Sequence, residues 1–184
     1  MRPLAFAFAV ACLCVSCKDG APSSSNAKTY ASPPSQSIDK TKTYAATLVT
    51  KKGTIELSLD AKAAPITVNN FVFLGRAHFY DGLTFHRVVP DFVIQGGDPD
   101  GTGQGGPGYT IPDERSGLLH VEGALAMAKS AAPNSAGSQF YITLSPQPAL
   151  DAGYTVFGKV TAGQNVAKQI TQGDVITSLT ISEN

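Results

Sequence analysis

The sequence predicts an all-β barrel domain that also carries two helices. Three observations carry this expectation. Apolar and polar residues alternate through Ile55, Leu57 and Leu59, and again at Val175, Thr177, Leu179 and Ile181, with the two-residue period of half-buried strands. Further apolar runs of strand length are separated by Gly, Pro and Asp, which favour turns. Only Pro65–Arg76 and residues 164–170 read as helices. Many short strands with few helices bury their apolar faces most readily as a barrel or sandwich.

Taken in order, residues 45–50 and 54–59 flank Lys51-Lys52-Gly53 and form a hairpin. Pro65 suits the first turn of a helix, where its missing N–H would have no partner anyway. That helix offers Ile66, Phe73 and Leu74 for burial. Short strands at 85–87 and 92–95 bracket Pro90-Asp91, and strands at 123–127, 139–143 and 155–160 follow. A short helix at 164–170 precedes a closing strand at 175–181.

The chain has 184 residues and is 42% hydrophobic, enough for one domain with a core. Its formal net charge of zero argues against a nucleic-acid-binding surface. Arg2 is followed by an almost wholly apolar run from Leu4 to Val15, the length of a signal-peptide core and too short to span a bilayer. Ser16-Cys17 resembles the site at which bacterial lipoproteins are cleaved and acylated, so Cys17 is the expected lipidation site. Cys14 stands where that motif usually has Leu. All three cysteines (Cys12, Cys14 and Cys17) fall in this segment, so the domain can hold neither a disulfide nor a Cys-based zinc site. Residues 18–42, rich in Ser, Pro and Lys, read as a flexible linker that spans roughly 25–30 Å as a coil. The expected organisation is a signal peptide over 1–17, a linker over 18–42 and a domain over 43–184.

Several motifs carry little. Residues 101–106 match GxGxxG, but no strand precedes them and no helix follows, so a surface loop is expected rather than a dinucleotide site. His78, His86 and His120 lack metal-ligand spacing, and no metal is expected. His86 adjoins Arg87 on a strand, faces the other way and reads as a packed, hydrogen-bonded structural histidine rather than a catalytic one. Ser138 has no nucleophile elbow around it. Asp113-Glu114 lie in a polar loop and read as solvated.

Residues 85–98 are the most informative stretch, an apolar run interrupted by Arg87 and Gln95. A charged residue in such a run is exposed on a face or serves a purpose there. Further on come Gly137-Ser138-Gln139-Phe140-Tyr141-Ile142, Leu150-Asp151 and Val156-Phe157-Gly158-Lys159-Val160. In order and spacing these blocks resemble the cyclophilins, the peptidyl-prolyl cis–trans isomerases, from about residue 45 to 181. The resemblance implies a closed eight-stranded antiparallel barrel with a helix over each end. It implies Arg87 as the catalytic residue and Phe92 as the floor of a proline pocket. Val93, Met127, Tyr141 and Leu150 would wall that pocket. Gln95 and Gln139 would give polar contacts, Ala128 and Lys129 a strand that pairs with the peptide, and Tyr154 a ring at the rim. Tyr141, Val93, Tyr154 and Ala149 stand where relatives often carry Phe, Met, His and Trp. One extra residue before Pro133-Asn134 puts the local register in question.

Such a site needs no nucleophile, metal or cofactor. The barrier is rotation about a C–N bond with partial double-bond character, roughly 20 kcal/mol. Arg87 can lower it by donating to the prolyl nitrogen as that atom becomes pyramidal. The expected partners are proline-containing segments of unfolded or flexible polypeptides, with no nucleic acid. The protein is expected to be a monomer held in the cell envelope by its N-terminal lipid. The rival expectation is the same barrel serving as a non-catalytic Pro-peptide-binding or structural envelope module.

Overall fold

The computed structural model describes residues 29–184. The expected signal peptide, Cys17 and residues 18–28 of the expected linker lie outside the described residues. Eight strands and two α-helices follow in order: β1 (Tyr44–Thr50), β2 (Gly53–Leu59), α1 (Pro65–Arg76), β3 (Arg87–Val89), β4 (Val93–Gly96), β5 (Ala124–Met127), β6 (Phe140–Thr143), β7 (Val156–Ala162), α2 (Gln164–Ala167) and β8 (Ile176–Glu183), with a 3₁₀ turn at Pro148–Leu150 between β6 and β7. All strands join one antiparallel sheet in the order β3-β4-β6-β5-β7-β2-β1-β8.

The expected closure of the barrel is corrected. β3 and β8 are the two edges of an open, curled sheet and do not pair along their lengths. The segment just before β3 meets the first residue of β8 and the residues that precede it. Thr84 bridges Val175, Phe85 N–H donates to Asp174 O at 2.9 Å, and Ile176 N–H donates to Leu83 O at 2.8 Å. β3 has three residues, too few to carry a ladder along β8. The expected second helix is also shorter, a single turn at Gln164–Ala167.

The sheet buries both faces. Its concave side holds the main core, in which Phe71 packs on Phe140 (5.6 Å between ring centroids, 88°) and on Phe157 (5.1 Å). A smaller cluster of Val93, Ala124, Ala126, Tyr141 and Val156 lies on the opposite side. β5 and β6 are therefore buried at every position, and they read as continuous apolar runs rather than alternating ones.

α1 buries Val68, Phe71, Val72 and Leu74 in the main core, whereas Ile66 is exposed. Ala64 precedes it and offers no capping side chain. Glu114 does that work from a distant loop. Its carboxylate accepts from Ile66 N–H (3.0 Å), Thr67 N–H (2.7 Å) and the Thr67 hydroxyl (2.7 Å), placing a negative charge at the helix start. Asp113 accepts from Lys129 Nζ at 2.9 Å. The pair expected to be merely solvated is thus structural.

The linker expectation is corrected in its second half. Residues 29–42 lie along the domain as a strap. Tyr30 sets its ring edge-on to Phe73 (5.1 Å) and near Phe79 and Tyr109, and its N–H donates to Pro107 O at 2.8 Å. Asn69, buried on α1, accepts from the backbone of Ser37 (2.8 Å) and Ile38 (3.3 Å) and donates to Ser35 O (3.1 Å). These partners satisfy backbone groups that a coil would leave to water.

Candidate active site

Strand register assembles the site. Arg87 on β3 lies opposite Gln95 on β4, Gln95 opposite Tyr141 on β6, and Tyr141 opposite Ala126 on β5. The four side chains therefore form one row across the outer face of four neighbouring strands. A cavity of about 220 Å³ opens beside this row, lined by Arg87, Phe92, Val93, Gln95, Ala128, Lys129, Tyr141, Leu150 and Tyr154. The structure thus brings together nine of the residues singled out in the sequence.

Gln139 lines an adjoining cavity of about 280 Å³ beneath the Gly-rich loop. It remains linked to the first cavity by an amide chain. Arg87 Nη1 donates to Gln95 Oε1 (3.3 Å), Gln95 Nε2 to Gln139 Oε1 (2.9 Å), and Gln139 Nε2 to Gly105 O (2.9 Å). Every donor in this chain points away from Arg87, which fixes both amides. It also uses one of five guanidinium N–H groups and leaves the others for a ligand. The guanidinium carbon sits 5.7 Å from the centre of the Phe92 ring, so charge and apolar floor meet at one edge of the hollow.

Met127 does not belong to this cavity, which corrects the sequence expectation. Successive strand residues face opposite ways, so Ala124, Ala126 and Ala128 join the outer cluster while Leu125 and Met127 enter the main core. At Ala128 the register is set by its N–H, which donates to Gln139 O at 2.9 Å. In the turn beyond, Asn134 adopts φ 56° and its Oδ1 accepts from Asp113 N–H at 2.9 Å.

A buried polar chain behind the pocket escaped the sequence reading. Asp151 Oδ1 lies 2.8 Å from His120 Nδ1, and His120 Nε2 lies 2.8 Å from the Tyr141 hydroxyl. A carboxylate only accepts, so Nδ1 carries a proton, and in the singly protonated ring Nε2 accepts from the Tyr141 O–H. The rings of His120 and Tyr141 are nearly parallel, at 13°. Burial, and to a lesser degree the neighbouring Tyr154 and Asp151, pushes the Tyr141 phenol well above its usual range. It stays protonated as a donor. The His120 backbone N–H, followed by its ring, holds Asp151 below the usual carboxylate range. The replacement of Phe by Tyr at position 141 was the one signal available, since a buried hydroxyl demands a partner.

The Gly-rich loop is the surface loop expected. Asp98, itself buried, gathers it by accepting from Asp100 N–H at 2.8 Å and from Gly103 N–H. His86 lies near Gly103, and burial holds its pKa below the ordinary histidine range, so it adds no second charge beside Arg87 at neutral pH.

Comparison with known proteins agrees with this geometry. A family model described as cyclophilin type peptidyl-prolyl cis-trans isomerase/CLD matches residues 45–183. The chain is 56% identical over 124 residues to peptidyl-prolyl cis-trans isomerase B of Bacillus subtilis, covering 66% of this chain and 86% of that protein. It is 50% identical over 138 residues to a peptidyl-prolyl cis-trans isomerase of Synechococcus elongatus, covering 74% and 94%. Among solved structures it resembles a cyclophilin type isomerase of Cryptosporidium parvum, determined in the presence of the dipeptide Ala-Pro. There the TM-score is 0.71 at 32% identity, with 76% of this chain and 99% of that one covered.

Proposed function

The chain belongs to the cyclophilin-type peptidyl-prolyl cis-trans isomerases, and we propose that it serves outside the cytoplasm, held in the cell envelope by a lipid on Cys17. Its reaction is rotation about X–Pro bonds. Its substrates are proline-containing segments of unfolded or flexible polypeptides, a reading that the Ala-Pro dipeptide used with the solved relative supports.

The observation that carries the mechanism is the row Arg87–Gln95–Tyr141 at the mouth of an apolar hollow. The proline ring fits against Phe92, Val93, Tyr141 and Leu150, with Tyr154 at the rim. Arg87, already oriented by Gln95, donates to the prolyl nitrogen as it loses conjugation with the carbonyl. A charge-assisted bond contributes roughly 1.5–3 kcal/mol, or about ten- to a hundredfold in rate. The rest comes from holding the twisted peptide in a site that excludes water, where fixed dipoles act at low dielectric. Gln95 and Gln139 are positioned to bond the substrate backbone.

Location rests on the N-terminal sequence: the short apolar run, Ser16-Cys17 and the Ser/Pro-rich segment that follows. Labelling cells with a fatty-acid probe tests it. The wild-type chain takes up label and fractionates with membranes, and Cys17→Ser takes up none while its isomerase activity is unchanged. An unlabelled wild-type chain in the soluble fraction contradicts lipid anchoring.

A further inference from the structure

Beside the proline pocket lies a second, larger cavity of about 410 Å³, set between the loop at 113–119 and the segment at 151–155. The two cavities share Lys129 and Tyr154. Lys129 forms the partition between them. Its Nζ is bonded to Asp113 (2.9 Å), lies 6.0 Å from the centre of the Tyr154 ring, and is only 13% exposed.

By formal charge this second cavity is acidic, since Asp113, Glu114 and Asp151 outnumber Arg115 and Lys129. The hydrogen bonds reverse that impression. Glu114 spends its carboxylate on the start of α1. Asp151 is held by the backbone and ring of His120. Asp113 is bonded to Lys129 and to Asn134 N–H (3.1 Å). Burial favours the neutral form of Asp113, but these two donors outweigh it and lower its pKa. Each acid is thus already engaged by donors in place, and Asp113 is paired with a cation, so none is turned as a free acceptor toward a ligand. Arg115 alone among the lining charges makes no hydrogen bond or ion pair with the described residues, and it is exposed at the cavity wall. A guanidinium with every N–H free is a ready partner for a carboxylate.

We infer that this cavity is an accessory substrate subsite in which Arg115 selects an acidic side chain a few residues from the isomerised proline. The inference rests on the isomerase reading and adds a preference to it. An extended peptide advances roughly 3.3 Å per residue. A chain leaving the proline pocket over Lys129 and Tyr154 therefore brings a nearby side chain to the second cavity. Arg115 is a specificity residue here and touches no atom of the rotating bond.

The test uses the purified protein and short peptides around one Ala-Pro bond, with Glu, Gln or Lys placed in turn at each flanking position. At one position the wild type shows a kcat/KM for Glu about three- to fivefold above that for Lys, the size expected of a partly exposed ion pair. The ratio shrinks with added salt. Arg115→Gln brings it to about one and Arg115→Glu inverts it, while turnover of the uncharged Gln peptides is unchanged in both. A wild type with no preference at any position overturns the subsite, as does a preference that survives in Arg115→Gln. A wild type that fails to turn over the uncharged peptides overturns the isomerase reading instead.

Discussion

At the scale of single residues, the phase of a strand decides between core and site. Ala126 and Met127 are neighbours, yet one joins the smaller outer cluster with Val93 and Tyr141 and the other fills the main core. Met127→Ala is therefore expected to cost about 2–5 kcal/mol of stability as a buried cavity and to leave KM for a proline peptide unchanged. Chemical denaturation and peptide kinetics on the same sample check this. Tyr141→Phe keeps the ring in the pocket and removes the donor to His120 Nε2. The orphaned buried acceptor is expected to cost about 1–3 kcal/mol, read as a lower denaturation midpoint at unchanged slope, with only a modest loss of activity. Ala149 is exposed next to Leu150, which lines the pocket, and the resemblance to the cyclophilins implies that it stands where cyclosporin-sensitive members carry Trp. A Trp side chain buries about 150–250 Å², so even partial loss of that contact weakens the drug by about two orders of magnitude. The expected result is an active enzyme with weak cyclosporin binding that tightens in Ala149→Trp. Nanomolar inhibition of the wild type contradicts this account of the rim.

At the scale of elements, the strap over 29–42 is the least foreseeable part of the fold. Its composition is that of a coil, and it is ordered by groups far away in sequence: Asn69 on α1 and the ring notch of Phe73, Phe79 and Tyr109. Tyr30→Ala removes the ring from that notch and is expected to cost about 2 kcal/mol, measured as a loss of thermal stability. A variant as stable as the wild type shows that the strap contributes no packing. The hairpin of β1 and β2, α1 and the closing strand were legible because period-two alternation and an N-terminal proline are local signals. Arg87 and Gln95 stood out because they break an apolar run, although their roles came from family resemblance. What stayed hidden was tertiary. Glu114 caps α1 from a distant loop, Asp113 pairs with Lys129, and Asp151, His120 and Tyr141 meet only once the sheet curls. The outward phase of β5 was hidden too, because a strand buried on both faces shows no alternation.

At the scale of the whole molecule, the curled sheet is secured at its edges rather than by a continuous ring of hydrogen bonds. Near the chain's end, Glu183 on β8 pairs with Lys42 from the strap (2.6 Å) and with Arg76 at the end of α1, joining three elements. The hydrogen bond from Lys42, then that from Arg76, lowers the Glu183 pKa. A carboxylate with a depressed folded pKa stabilises the fold above its unfolded pKa and loses that effect as pH falls through the folded value. The stability difference between wild type and Glu183→Gln is thus expected to be constant above about pH 4.3, the ordinary glutamate value, and to vanish in stronger acid. It will be small, because both pairs are exposed. A difference that grows on acidification contradicts the assigned pairing.

In the proposed mechanism Arg87, held by Gln95 at the mouth of an apolar hollow, drives the rotation. The most direct test compares kcat/KM for a proline-containing peptide between the wild type, Arg87→Ala and Arg87→Lys, with thermal stability measured alongside. Arg87 is exposed and outside both apolar clusters, so all three proteins fold alike. The account predicts at least a tenfold loss in Arg87→Ala, the worth of one charge-assisted bond, and a severe loss in Arg87→Lys, whose ammonium lacks the planar fork. Arg87→Ala retaining more than about a third of the wild-type activity, well above that tenfold loss, would contradict it.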